Sequence, residues 1–380
     1  MERRIFNVLF VSILTTMVGL GIIAPLMPIY AKSLGATGMW LGIIFSGFSL
    51  ARVIFMPLIG RISDQRGRKF FITLGLFWYS IISLLYPLAK TVYQLSLIRI
   101  LHGCASAMVL PIAMAYIGDI ARKGEEGKLM GTFNMALFLG IGSGPFLGGF
   151  LNDAFGLKAA FYAMALLTTI AFLVTLVFLP DLRIHIRQKT SLSWRSILKN
   201  NVIKGLFIFR MANATKRGGI MVFLPLFAAK IHISPSEVGI LLSANIFITG
   251  LLQTPFGKLA DKWNKFWMVL TGSLISALGL IFVPLSHNFT ELFVAGILVG
   301  IGGAIAMPAA TAIAVLVGQS TGMGTSMGIF NTAMSLGMVF SPIFLGIIMD
   351  TFGLHFIFYF AALVGLLSCL VFYYYTIKGK

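Results

Sequence analysis

The sequence predicts an all-α membrane protein, with twelve transmembrane helices in two pseudo-symmetric six-helix bundles. Three observations predict it. Hydrophobic residues make up 58% of the chain and charged residues 11%, with a mean hydropathy of +0.96, which leaves too little polar surface for a water-soluble domain. Apolar runs of about 20 residues, the length that crosses a bilayer, recur from end to end. The second half of the chain repeats the first at a constant offset of 197 residues, with no gap. A bilayer admits helices or closed barrels, because every backbone polar group must be paired internally. Barrel strands would alternate apolar and polar residues, and the continuous runs 161–179 and 356–375 do not.

The elements follow in order. Span one is expected over Phe6–Ala31; without a small-residue cleavage site it reads as retained and not as a signal peptide. Gly38–Ser63 and Lys69–Leu88 follow around a basic loop, and Val92–Ile120, Leu129–Leu151 and Leu157–Pro180 complete the first bundle. The second is expected over Val202–Ala229, Pro235–Ala260, Phe266–Pro284, Phe289–Val317, Gly324–Met349 and His355–Tyr375. The resulting domains are 1–180, a polar, basic linker at 181–201, and 202–380. Within the linker Trp194, Ile197 and Leu198 follow i, i+3, i+4 spacing, consistent with one amphipathic turn at the membrane surface. Cys104 and Cys369 both fall inside spans and read as small packing residues.

A net charge of +18 raises nucleic acid as a partner, and the distribution of the charge removes it. With the N-terminus in the cytoplasm, 20 of the 29 Lys and Arg residues fall on the cytoplasmic side, while Lys32, Lys90, Lys158 and Lys230 fall opposite. That is the positive-inside bias, and it places both termini in the cytoplasm.

The repeat is dense in turn and packing residues. Pro28, Gly42, Gly60, Asp64, Gly103, Pro111, Gly131, Asn134 and Gly140 recur as Pro225, Gly239, Gly257, Asp261, Gly300, Pro308, Gly328, Asn331 and Gly337. Pro145, Asp153, Phe155, Gly156 and Leu157 recur as Pro342, Asp350, Phe352, Gly353 and Leu354. Six spans per copy give two parallel copies related by an axis along the membrane normal.

Between spans two and three stands Gly60-Arg61-Ile62-Ser63-Asp64-Gln65-Arg66-Gly67-Arg68-Lys69. This loop, with the repeat, resembles the major facilitator superfamily over the whole chain. The resemblance implies a cytoplasmic gate formed by Gly60, Asp64, Gly67 and Arg68, with Asp119 at the end of span four as partner and Asp261 as the second-copy counterpart. The second copy has Asn264 where the pattern has glycine, so a weaker latch is expected there. In span five, Gly140, Gly144, Pro145, Gly148 and Gly149 form G-x-x-x-G-P-x-x-G-G, which resembles the signature of the drug:proton antiporters of that superfamily. Spacing of four sets Gly140, Gly144 and Gly148 on one helix face, where a neighbouring helix can approach closely.

Ionisable residues inside a bilayer are costly and usually functional. Five cations fall within spans: Arg52, Arg99, Arg210, Lys216 and Arg217. Arg99 opens R-x-x-x-G with Gly103, resembling the family's span-four motif, and His102 follows three residues on. Arg210, Asn213 and Arg217 share one face of span seven, with Lys216 beside it and Gly218 and Gly219 next, which would let that helix bend. Arg52, Arg99, His102, Asn213, Lys216 and Arg217 are the candidate substrate-binding residues. Arg52 and Arg210, nearest the cytoplasmic half, are the strongest candidates for a scaffold role.

All eleven acidic residues fall at span ends or in loops, which disfavours a proton-coupled exporter of cations. If protons are coupled, His102 is the candidate titrating group. No paired acids, nucleophile or metal cluster inside the bilayer points to an enzyme, and no metal or cofactor is expected. A gate network and a repeat suit alternation better than a standing pore. The expectation is a secondary transporter in a bacterial inner membrane, working by alternating access as a monomer. Its solute is a small drug-like or amphipathic compound moved outward, with protons as the coupling ion. The alternative is an anionic metabolite or acidic lipid held by the intramembrane Arg and Lys residues.

Overall fold

The computed structural model describes residues 2–120, 126–181, 200–321 and 323–378, and among these every regular element is helical. The linker reading, including Trp194, Ile197 and Leu198, lies outside the described residues. We number the α-helices α1 (Glu2–Ile22), α2 (Leu26–Ser33), α3 (Gly38–Arg66), α4 (Arg68–Leu85), α5 (Val92–Ile120), α6 (Glu126–Phe155) and α7 (Leu157–Phe178). They continue with α8 (Asn201–Lys230), α9 (Pro235–Lys262), α10 (Lys265–Phe282), α11 (Phe289–Thr321), α12 (Met323–Phe352) and α13 (Leu354–Tyr373).

Two compact units emerge. Unit one comprises Met1–Ala36, Ile43–Gln188 and Ser234–Ser243; unit two comprises Thr37–Gly42, Lys189–Ile233 and Ala244–Lys380. Inside unit one, α1 packs on α6 and α7, and α4 packs on α5 and α7. Inside unit two, α8 packs on α12 and α13, and α10 packs on α11 and α13. These are the same pairings moved along the chain by the repeat offset.

Lipid tails are as apolar as leucine, so helix association in a membrane rests on close packing and buried polar contacts. Each unit keeps large side chains inside, with Tyr79, Tyr86, Phe133 and Phe161 fully buried in unit one and Phe209, Phe227, Phe358 and Phe372 in unit two. Leu251, Leu370 and Leu166 stand outward at 75%, 66% and 62% exposure, as suits side chains that meet acyl chains in place of water.

The structure departs from the expected spans in one place. Span one is broken: α1 ends at Ile22, a turn runs through Pro25, and α2 resumes at Leu26. Pro25 and Pro28 both lack the N–H a helix needs, whereas the second copy has Val222 opposite Pro25, keeps only Pro225, and runs unbroken as α8. Among the described residues eleven helices are long and apolar enough to cross a membrane. The helix that falls short by composition is α8, 30 residues long, which carries Lys204, Arg210, Lys216 and Arg217.

Candidate functional site

The corner between α3 and α4 is closed by Gly67, whose φ of +95° is a left-handed conformation open to glycine at little strain. The turn delivers Arg68 into the unit, 6% exposed, where its guanidinium Nε donates to Asp119 at the end of α5. A second nitrogen of Arg68 lies 3.4 Å from the other Asp119 oxygen, and a third donates to Ser63 Oγ at 3.4 Å. One arginine thus ties the end of α3, the start of α4 and the end of α5. Among the described residues nothing lies within 4 Å of where a Cβ on Gly60 would stand. The side chains of Asp64 and Asp261 lie outside the described residues. At the equivalent corner of unit two Asn264 accepts from the N–H groups of Phe266 and Trp267 at 3.0 and 3.4 Å, a helix N-cap where unit one has a glycine turn. Lys265 and Leu316 occupy the places of Arg68 and Asp119, so the ion pair is not repeated.

The glycine face of α6 lies directly on α1. A Cβ on Gly140 would stand 2.5 Å from Met17 Cβ, on Gly144 2.4 Å from Gly21 Cα, and on Gly148 2.0 Å from the Ile22 carbonyl oxygen. Pro145 lies within this unbroken helix, and a Cβ on Gly149 would stand 2.4 Å from the Pro235 carbonyl oxygen. In unit two Gly337 repeats the contact, 2.6 Å from Ala214 Cβ by the same measure.

Arg52, Arg99 and His102 come together in unit one around the ring of Phe48. The Arg99 guanidinium carbon lies 4.3 Å from that ring's centroid and 5.3 Å from that of Phe45, and the Arg52 guanidinium carbon lies 5.7 Å from Phe48. The His102 ring stands edge-on to Phe48 at 5.6 Å and to Tyr79 at 4.1 Å, and its Nδ1 is 2.8 Å from the Tyr86 hydroxyl. Arg99 is 5% exposed and His102 0%, while Arg52 is partly exposed. Among the described residues, Arg52 Nε, Arg99 Nε and His102 Nε2 are buried without a hydrogen-bond partner.

The span-seven residues separate. Arg210 donates to the thioether sulfurs of Met307 and Met334, both at 2.9 Å, and its guanidinium carbon lies 4.7 Å from the Phe330 ring centroid; its Nε is buried without a partner. Lys216 turns into the unit, 3% exposed, with its Cδ 3.1 Å from where a Cβ on Gly365 would stand. Asn213 is half-buried and Arg217 exposed. Successive helical residues point about 100° apart, which sends Lys216 and Arg217 to different surroundings. Gly218 and Gly219 sit in unbroken helix, and a Cβ on Gly218 would stand 2.6 Å from Ser341 Oγ, so in this conformation Gly218 serves close approach of α12. Among the described residues, none of the five intramembrane cations pairs with a carboxylate.

Sequence reasoning missed the aromatic and thioether side chains that hold these cations. Phe45, Phe48 and Arg52 follow i, i+3, i+7 spacing, and Tyr79 lies seven residues before Tyr86, so a search for aromatics on the cation-bearing faces would have found them.

The sequence profile described as Major Facilitator Superfamily matches residues 9–215 and again 205–379. An uncharacterized MFS-type transporter of Methanocaldococcus jannaschii is 35% identical over 97% of this chain and 98% of its own length. Multidrug resistance protein 2 of Bacillus subtilis is 27% identical over 96% of this chain and 93% of its own. In three dimensions the chain resembles a bacterial homolog of the human lysosomal transporter Spinster, solved inward-facing and occupied, with a TM-score of 0.83 at 16% identity, covering 98% of this chain and 96% of that one.

Proposed function

The chain belongs to the major facilitator superfamily, a family of transporters and not of enzymes, and on that premise we propose that it exports small amphipathic compounds by alternating access in exchange for protons. The observation that carries the export reading is the likeness to Multidrug resistance protein 2 along 96% of the chain. Two features of the structure support alternation. The two units repeat one set of helix pairings, so each can move as a packed body. The Arg68–Asp119 pair is a polar tie that can be broken and remade, whereas the glycine contacts of α6 on α1 fix a rigid interior.

A second reading, transport of an anionic metabolite or acidic lipid, is supported by the intramembrane cations and their lack of carboxylate partners among the described residues. Both readings place the protein in a plasma membrane, with the basic loops and both termini in the cytoplasm.

The test is efflux of a fluorescent amphiphile from proteoliposomes across an imposed pH gradient. Export predicts efflux that follows the gradient and falls to the protein-free rate when an ionophore collapses it. Equal rates with and without the gradient contradict proton exchange, and no rate above protein-free vesicles for any amphiphile contradicts export.

A further inference from the structure

Unit two contains a counterpart of the Arg52–Arg99 crossing, and it is built without charge. Phe48, Arg52, Arg99 and Gly103 correspond through the repeat to Asn245, Thr249, Gly296 and Gly300. In both units the helices cross tightly: a Cβ on Gly103 would stand 2.4 Å from the Phe48 carbonyl oxygen, and one on Gly300 would stand 3.0 Å from Asn245 Nδ2. In unit two the polar groups satisfy one another. Asn245 Nδ2 donates to the Gly296 carbonyl at 2.6 Å, and Thr249 Oγ1 approaches the Gly300 carbonyl at 3.3 Å. In unit one the same crossing holds two guanidinium groups, with Arg52 Nε, Arg99 Nε and His102 Nε2 left unpartnered.

The contrast separates two explanations. A scaffold role would require the charges to hold the helices, yet unit two makes the equivalent crossing with neutral side chains. Uncompensated charge in a membrane interior is unfavourable on general grounds, which calls for a use that offsets it. The orphaned atoms are donors on the two arginines and an imidazole nitrogen on His102, all set around one aromatic ring.

We propose that Arg52, Arg99 and His102 form an anion site inside unit one that takes a single carboxylate or phosphate group at the end of an apolar body. The two guanidinium groups supply the charge and forked donors that suit such oxyanions. Phe45 and Phe48, whose rings lie beside the Arg99 guanidinium, supply the apolar wall, and Arg52 is the partly exposed member of the cluster. The proposal rests on the transporter reading and names the chemical class of its solute. The same headgroup chemistry occurs on a transported solute and on an anionic lipid, which the experiment tells apart.

The test uses the full chain in phosphatidylcholine nanodiscs, titrated with naphthalene-1-carboxylate and with the neutral carboxamide of the same size. The carboxylate is expected to bind at least about tenfold tighter than the amide. Replacing the crossing with its unit-two counterpart (Phe48→Asn, Arg52→Thr and Arg99→Gly together) is expected to bring that ratio within twofold. A ratio unchanged by the replacement overturns the proposal. If the triple variant does not purify folded, Arg52→Gln alone carries the same reading, with at least a threefold fall in the ratio expected and no fall overturning it. Adding phosphatidylglycerol to the discs separates the sources: competition with the carboxylate supports the site with lipid as occupant, and its absence supports the site with a solute. Discrimination in binding without gradient-driven movement of either probe contradicts export and leaves the site standing; movement without discrimination does the reverse.

Discussion

The corner of unit one at Gly67, Arg68 and Asp119 and the corner of unit two at Asn264, Lys265 and Leu316 stand at the same place in the repeat. The first is a glycine turn that drives an arginine onto a carboxylate; the second is an asparagine cap with no ion pair between the counterpart positions. The crossings of α3 with α5 and of α9 with α11 differ in the same sense, charged with buried nitrogens unpartnered among the described residues in one, neutral and hydrogen-bonded in the other. Glycine packing and helix caps, by contrast, recur. Asp153 accepts from the Ser236 N–H at 3.0 Å within unit one, and Asp350 accepts from those of Gly38 and Met39 at 2.6 and 2.8 Å within unit two. Features kept in both copies therefore build the helix bundle, and features present in one copy are free to carry function.

That division is easiest to break at the repeated packing face. Gly144→Leu sets a side chain where even a Cβ would stand 2.4 Å from Gly21 Cα. Overpacking of this kind costs about 1–3 kcal/mol or more, so we expect a large fall in thermal unfolding temperature in detergent and loss of transport. A variant of wild-type stability would show that α1 and α6 separate freely. Next in size is the unrepeated corner. Asp119→Asn removes one carboxylate from the buried Arg68 guanidinium, a change worth about 3 kcal/mol in buried pairs. Transport is expected to fall at least tenfold with ligand affinity nearly unchanged, while Lys265→Ala at the unit-two corner alters transport less than twofold. Loss of affinity in Asp119→Asn, with cycling intact, would remove the gate role.

The repeated caps are expected to have equal and smaller effects. Asp153→Ala and Asp350→Ala each remove a carboxylate from the first turn of a helix, worth about 1 kcal/mol, and the two unfolding temperatures should fall alike; a fall in one alone would break the equivalence of the units. Smallest is Gly60→Ala, whose added methyl meets no atom of the described residues and should leave stability and transport as they are. A marked loss would mean that Gly60 meets a neighbour in another state of the transport cycle.

Much of the fold was legible because lipid imposes it: span length and unbroken apolarity translate directly into helices, and the offset of 197 residues anticipated two copies of one pairing scheme. The break at Pro25 was not, since one more proline in an apolar run does not alter its hydropathy and its effect shows only in the contrast with Val222. At the site, the cations and His102 could be picked out because charge is rare in a membrane, and Asp119 as the partner of Arg68 came from family resemblance. Their environments could not be read. Whether Lys216 or Arg217 turns inward depends on helix phase and neighbours, and Phe48, Tyr79 and Met307 look in sequence like any other lipid-compatible side chain. The contrast that carries most weight, Arg52 and Arg99 against Thr249 and Gly296, was present in the sequence, but its meaning needed the observation that both helix pairs cross closely.

Transport in proteoliposomes decides whether the unrepeated charges of the membrane interior serve solute recognition. The measurement compares anionic, neutral and cationic amphiphiles of one size at a single imposed pH gradient. Fastest gradient-driven movement is expected of the anion, with the preference abolished by Arg99→Gln. A preference for the cation that survives Arg99→Gln would contradict it, making the arginines scaffold and pointing to a carboxylate, Asp119 first, as the group that meets the solute.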